Sequence, residues 1–294
     1  MDPPLTGEWS RGRLTVTAAT AAGPNRAHRQ DGWDQAKITK RKTWAPRLRG
    51  LLPLVMLLSV WELAGSPGSP FFPPPSTWGS ALIGLWENGA LVAAVVATLT
   101  TFCIGLGIAT VLGAVLGLVV GGSPGADRAM SPTFEFARAM PPAAMVPIAT
   151  LLLGYDETMK VTVVTLAAIW AILLNTRAGV RRIDQTLLDA ARSLQLGTVQ
   201  RIRKVIAPAL LPAVFLGVRV AAPIAVVITL LVEILTHLEG VGALIAQSQR
   251  TFQPARVYAL IVVAGALSLL VNGVLGVVES YVFRYRPGKA GRSE

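Results

Sequence analysis

The residues best placed to do something other than fill lipid lie between Arg177 and Pro208. The centre of that segment reads Leu187-Leu188-Asp189-Ala190-Ala191-Arg192-Ser193-Leu194. Ile183, Leu187, Leu188, Ala191 and Leu194 recur at helical spacing, with Arg181, Arg182, Asp184, Asp189 and Arg192 between them. The pattern predicts a short amphipathic helix between two apolar spans, with an apolar stripe that needs cover. Its chemistry is recognition: a carboxylate that accepts hydrogen bonds, small residues that permit close approach, and leucines to bury. The cover is either a partner protein in the cytosol or the lipid headgroups, should the helix lie in the interface.

Three charges fall in or near apolar spans: Glu62, Arg219 and Glu233. Charges at membrane depth pair with one another or face water. A guanidinium stays ionised even in a poorly polar site, so Arg219 needs either a carboxylate on another helix or an anionic cargo. Glu233 is too far along the same span to be that carboxylate, roughly 21 Å away by helical rise. It is instead the one candidate for an ion-coupled carrier. His237, near the end of the same span, reads as an interfacial polar residue.

Covalent chemistry is poorly supplied. The chain has 2 His and 1 Cys, and Cys103 sits inside an apolar span, so neither a disulfide nor a thiolate metal site is expected. No Gly-x-x-x-x-Gly-Lys-Ser/Thr loop occurs, and Pro287-Gly288-Lys289-Ala290 does not make one. No cofactor is expected, and the chain reads as a non-catalytic subunit. If ATP drives its work, another polypeptide hydrolyses it.

The elements that hold these residues are membrane spans. Of 294 residues, 52% are hydrophobic and 15% charged. No charged side chain occurs in 88–126, 161–176, 205–218, 220–232 or 257–278. A helix needs roughly 20 apolar residues to cross a bilayer. About six candidate segments follow: 50–65, 92–120, 132–154, 160–177, 209–235 and 257–280. The expected fold is an all-α polytopic membrane bundle of about six helices, with the amphipathic Asp189 helix in a loop between two of them. The third segment contains Pro141, Pro142 and Pro147, which break it. Irregular backbone at membrane depth lines a watery cavity or is buried in protein. Met140, Met145 and Thr150 therefore join Pro141, Pro147, Arg219 and Glu233 as pathway candidates, with a mere kink as the alternative. In the second span Gly105, Ala109, Gly113, Gly117 and Gly121 form a smooth face. It serves either the pathway, a dimer contact or close packing inside the subunit.

The net charge of +11 is a topology signal and not a nucleic-acid signal. Ten Lys/Arg precede residue 50, seven lie in 177–204 and four follow Phe283. Positive residues favour the cytoplasmic side, so both termini and the Asp189 segment are expected there. The polar, basic stretch 1–46 reads as a disordered cytoplasmic tail. The membrane domain covers 47–286, with the basic loop of the Asp189 segment at about 181–205, and 287–294 forms a second tail. The proline-rich stretch 66–79 is a stiff extracytoplasmic connector.

Several runs resemble, in order, the permease subunits of bacterial ABC importers, in the branch for aliphatic sulfonates, taurine and nitrate. They are Phe72-Pro73-Pro74-Pro75-Ser76, Met140-Pro141-Pro142-Ala143-Ala144-Met145-Val146-Pro147, Leu153-Gly154, Asn175-Thr176-Arg177-Ala178-Gly179-Val180, Gly217-Val218-Arg219 and Glu239-Gly240-Val241-Gly242. Asp189-Ala190-Ala191, followed by Pro208, resembles the loop of these permeases that docks on the ATPase. The resemblance implies a coupling loop of Leu188, Asp189, Ala190, Ala191, Ser193, Leu194, Gly197 and Pro208. It also implies two cytosolic ATP-binding subunits, an extracytoplasmic solute-binding protein and a second permease subunit, as a homodimer, in the membrane lipid. The implied cargo is a small anion, although the branch also handles heterocyclic precursors. This chain departs from the pattern with Asp189 for Glu, Ala207-Pro208 for Leu-Pro, and Gln195 for a turn-forming Gly. The last departure predicts that the turn moves to Gly197. A gradient-driven secondary transporter is the rival class, and a membrane assembly protein a third.

Overall fold

A computed structural model describes residues 52–69 and 71–282; both predicted tails lie outside the described residues. Those residues form helices joined by short turns. α1 is Leu52–Ala64, α2 Ser76–Glu87 and α3 Ala90–Gly121. α4 (Pro124–Ala139) and α5 (Val146–Leu153) flank a 3₁₀ turn at Pro142–Met145. α6 is Glu157–Val180, α7 Gln185–Ser193 and α8 Thr198–Arg201. A π turn (Ile202–Ile206) leads into α9 (Ala207–Thr236), then α10 (Val241–Arg250) and α11 (Pro254–Val282).

Among the described residues four helical runs are long and apolar enough to cross a membrane: α3, α6, Thr198–Thr236 and α11. The α4–α5 pair adds a fifth if its two arms, bent by 88°, count as one. The first predicted segment yields α1, whose 13 residues rise only about 20 Å. The chain is a multi-pass, all-helical membrane protein.

The third segment differs most from its expectation. It starts earlier, where Ser123 caps α4 by accepting the Ala126 N–H. Asp127, Arg128, Glu135 and Arg138 give α4 a polar face. Asp127 takes Arg177 Nε and, at 3.0 Å, Arg181 Nη1, while Arg177 Nη2 donates to Ser131 at 2.7 Å. These bonds tie α4 to the end of α6. The break falls at Met140 and Pro141, both extended. Pro142 and Pro147 sit in the first turns of the segments they open, where a missing N–H costs nothing.

The small-residue stripe of α3 faces α6. A Cβ on Gly105 would come within 2.7 Å of Val164 Cγ1, and one on Gly117 within 2.7 Å of the Leu173 carbonyl. Gly217 of α9 meets α6 on an adjoining face, where an added Cβ would come within 2.8 Å of Ile172 Cα. The stripe is thus a packing face within one subunit, and α6 packs on both α3 and α9 with backbones in close approach. Val163, Val164, Ala168 and Ile172 are fully buried there, with Ala109, Ala221 and Ala225 against them. α1 is held differently, through Trp61. That ring stacks on Phe72 at 4.8 Å and meets Trp78 and Tyr258 edge-on. Glu62 accepts the Ser76 N–H at 3.0 Å, which occupies this near-membrane carboxylate at the start of α2.

Candidate functional site

The docking segment forms the helix that its periodicity predicts. Asp184 caps α7 by accepting the Thr186 N–H at 2.9 Å. That bond holds the Asp184 carboxyl below the usual carboxylate range. A lowered native pKa stabilises above the unfolded value, and the contribution disappears as pH falls through the native one. The C-terminal end carries a correction. The turn does not move to Gly197; it stays at Gln195, which adopts φ 53. Leu196 N–H bonds to the Ala191 carbonyl and Gln195 N–H to that of Arg192, the paired closure that usually places glycine at this left-handed position. Gly197 is extended instead and precedes α8.

A second correction concerns the alanines. Ala191 is only 2% exposed and packs into its own chain, so it offers no surface to a partner. Ala190, Asp189 and Ser193 are exposed, as are Leu187 and, at 72%, Leu194. Leu188 is half-buried. Among the described residues Asp189 pairs with Arg192 alone, at 2.8 Å, with both side chains in the open, an arrangement worth little by itself. The helix therefore presents an unspent carboxylate beside uncovered leucines.

Between this segment and α9 the backbone widens. Pro208 has no N–H to give the carbonyl four residues earlier. The Ala207 N–H reaches back five residues to Ile202 instead, one turn of π helix. Pro208 itself is exposed.

The pathway candidates do not assemble into one place. Met140 and Met145 line a cavity of about 560 Å³ at the α4–α5 bend, together with Pro142, Trp170, Leu174 and Ile224. Pro141, Pro147 and Thr150 are not in its wall, and the Thr150 hydroxyl turns back to the Pro147 carbonyl at 2.8 Å. Arg219, 58% exposed along its side chain, pairs with Glu279 of α11 at 2.6 Å. Glu233 is fully buried at the far end of α9. Trp170 and Ile224 escaped the sequence reading because a single aromatic or aliphatic residue in an apolar span carries no local signal.

A bundle of membrane helices, one exposed amphipathic helix fixed at both ends, and a cavity at a broken span define a membrane transport subunit. The chain belongs to the family of binding-protein-dependent transport system inner membrane components, whose model matches residues 109–284. It is the permease subunit of an ABC importer. Among its relatives is a Bacillus subtilis protein named as the aliphatic sulfonates transport permease SsuC, 27% identical over 255 residues, 86% of this chain and 91% of the relative. The bicarbonate transport system permease CmpB of Synechococcus elongatus is 28% identical over 259 residues, 83% of this chain and 93% of the relative. The nitrate import permease NrtB of Synechocystis is 27% identical over 244 residues, 80% of this chain and 89% of the relative.

Proposed function

We propose that this permease works as one of a pair, coupled through α7 to cytosolic ATPase subunits and supplied by an extracytoplasmic binding protein. The observation that carries the reading is α7 itself. Its exposed face of Leu187, Asp189, Ala190, Ser193 and Leu194 is held by Asp184 at one end and the Gln195 turn at the other, yet none of the described residues covers it. A fixed but uncovered amphipathic face supports docking of a rigid partner. ATP binding then draws the ATPases together and moves α7, and the π turn passes that motion to α9. The density of Lys/Arg in 177–204 supports a cytoplasmic position for α7, with both termini on the same side.

The cavity at the α4–α5 bend, with Met140, Met145 and Trp170 in its wall, forms this subunit's share of the translocation path. The second permease copy closes it. Sulfonate, bicarbonate and nitrate, the cargoes named for the relatives, are all small oxyanions, and that is the cargo class assigned here. The test is purification after Ala190→Trp, which adds bulk to the exposed face and not to the core. The variant should insert normally, lose its ATPase on co-purification and lose ATP-dependent uptake in vesicles. Retention of both would refute the docking role.

A further inference from the structure

Glu233 takes no part in the docking face or the cavity at the bend, yet its surroundings are built around it. Its carboxylate accepts the Thr98 hydroxyl of α3 at 2.9 Å and the Gly242 N–H of α10 at 2.9 Å. The same Thr98 oxygen accepts the Val241 N–H at 2.9 Å. The first turn of a helix leaves its N–H groups without intrahelical partners. Here two of them are taken by side chains from two other helices. A Cβ on Gly240, which has φ 151, would overlap the Glu233 carboxylate, and one on Gly242 would run into the Leu230 carbonyl. Across the same corner, buried Lys160 of α6 donates to the Glu239 carbonyl at 2.8 Å and pairs with Glu157 at 2.7 Å. Three helices therefore fix the α9–α10 corner at once.

We propose that Thr98 and Glu233 are positioning residues of the transport cycle, a latch that holds α10 seated and biases the bundle toward the arrangement described here. The inference rests on the importer reading above. Seated, the buried carboxylate has its donors on both sides. With α10 displaced it loses the Gly242 N–H, while Val241 loses its acceptor. A contact complete in one arrangement and broken in the other shifts the balance between them. The corner also walls a cavity of about 420 Å³, with Ala90, Ala94, Ala243 and Gln247 around it. Movement of α10 therefore changes access to that cavity.

The experiment uses the permease–ATPase complex in lipid nanodiscs, with ATP as the probe and no binding protein. Thr98→Val removes both roles of the hydroxyl at nearly constant shape, and Thr98→Ser restores them. Val241→Pro removes the N–H that meets Thr98 while leaving the Thr98 and Glu233 side chains in place, at the cost of exchanging one buried apolar side chain for another. Proline suits that first helical position, and Gly240 before it has ψ 174, outside the helical range that a following proline disfavours. Each variant is paired with Ala243→Cys in a Cys103→Ser background, to read access by a water-soluble thiol reagent. Thr98→Val and Val241→Pro should raise unstimulated ATPase activity about fivefold or more, the usual scale of coupling between sites, and should speed labelling. Thr98→Ser should behave as the parent. Assembled variants with parental ATPase activity and labelling overturn the latch, as does a lowered melting temperature with both readouts unmoved. Failure of Thr98→Val to assemble, beside a Val241→Pro complex identical to the parent, overturns it as well. A parent complex that stays without ATPase activity even after the binding protein and its cargo are added instead overturns the coupling reading on which the latch depends.

Discussion

The two ends of α9 treat polar and apolar groups in opposite ways. At the start, around α7, leucines lie in the open and the Asp189 carboxylate faces solvent beside them. At the finish, around α10, a carboxylate is fully buried and the backbone N–H groups of the next helix are bonded to side chains. Both ends turn through a left-handed non-glycine residue, Gln195 in one case and His237 in the other. The turn type therefore does not separate them. The difference lies in satisfaction: the α10 corner completes itself, and the α7 segment stays incomplete until something else covers it. An end that is finished in isolation holds a position, and an unfinished end receives a partner.

That contrast can be broken most severely at the closed corner. Gly240→Ala places a methyl on the Glu233 carboxylate at a φ that side chains rarely adopt. We expect a loss of about 3–5 kcal/mol, the range for breaking a buried charged contact, read as a much lower melting temperature in detergent. A variant as stable as the parent would mean that the corner yields easily. Next is Ala191→Trp, on the buried side of α7. Overpacking should destabilise by about 1–3 kcal/mol, so its docking defect would accompany partial unfolding of the segment. Denaturant unfolding beside ATPase co-purification checks this, and parental stability would show that Ala191 has room.

Smaller still is Gln195→Gly. It relieves the left-handed strain at the end of α7 and frees the unfolded chain, so a net gain of about 0.5–1 kcal/mol is expected in thermal unfolding. A loss would mean that the Gln195 side chain contributes something to the folded state. The smallest change in stability belongs to Ala190→Trp, within about 0.5 kcal/mol, as for surface substitutions away from special features. Its co-purification with the ATPase should nonetheless collapse. Partner retention should thus fall at both neighbouring alanines, and stability at Ala191 alone.

Much of the architecture was legible because lipid imposes a coarse rule. Charge-free stretches of sufficient length became α3, α6, α9 and α11, with boundaries off by a few residues. The α7 helix was equally plain from its spacing. Local rules failed where their residues had two readings. Pro142 and Pro147 look like breaks inside one span, and they are starts of new segments. Pro132, by contrast, sits inside α4 and produces no break there. Gln195 holds a position that favours glycine, so the nearest glycine drew the turn away on paper. The tie between Thr98 and Glu233 joins residues 135 positions apart, and no window of sequence contains both. Arg177 likewise gave no sign of Asp127, its partner across a turn and a whole span.

The glycine stripe of α3 has a mechanical consequence. Where helices touch through backbone there are few side-chain rotamers to rearrange, so a push on one reaches the other without slack. α3 and α6, with α9 seated by Gly217 against an adjoining face of α6, then travel together as a single strut. Such a strut has no give of its own, and any swing must come from the joints beside it. Two stand ready, the elbow at Met140–Pro141 and the widened turn before Pro208, where one fewer backbone bond restrains the chain. The strut carries load between the ends of the molecule, and those joints set the arc through which it can move.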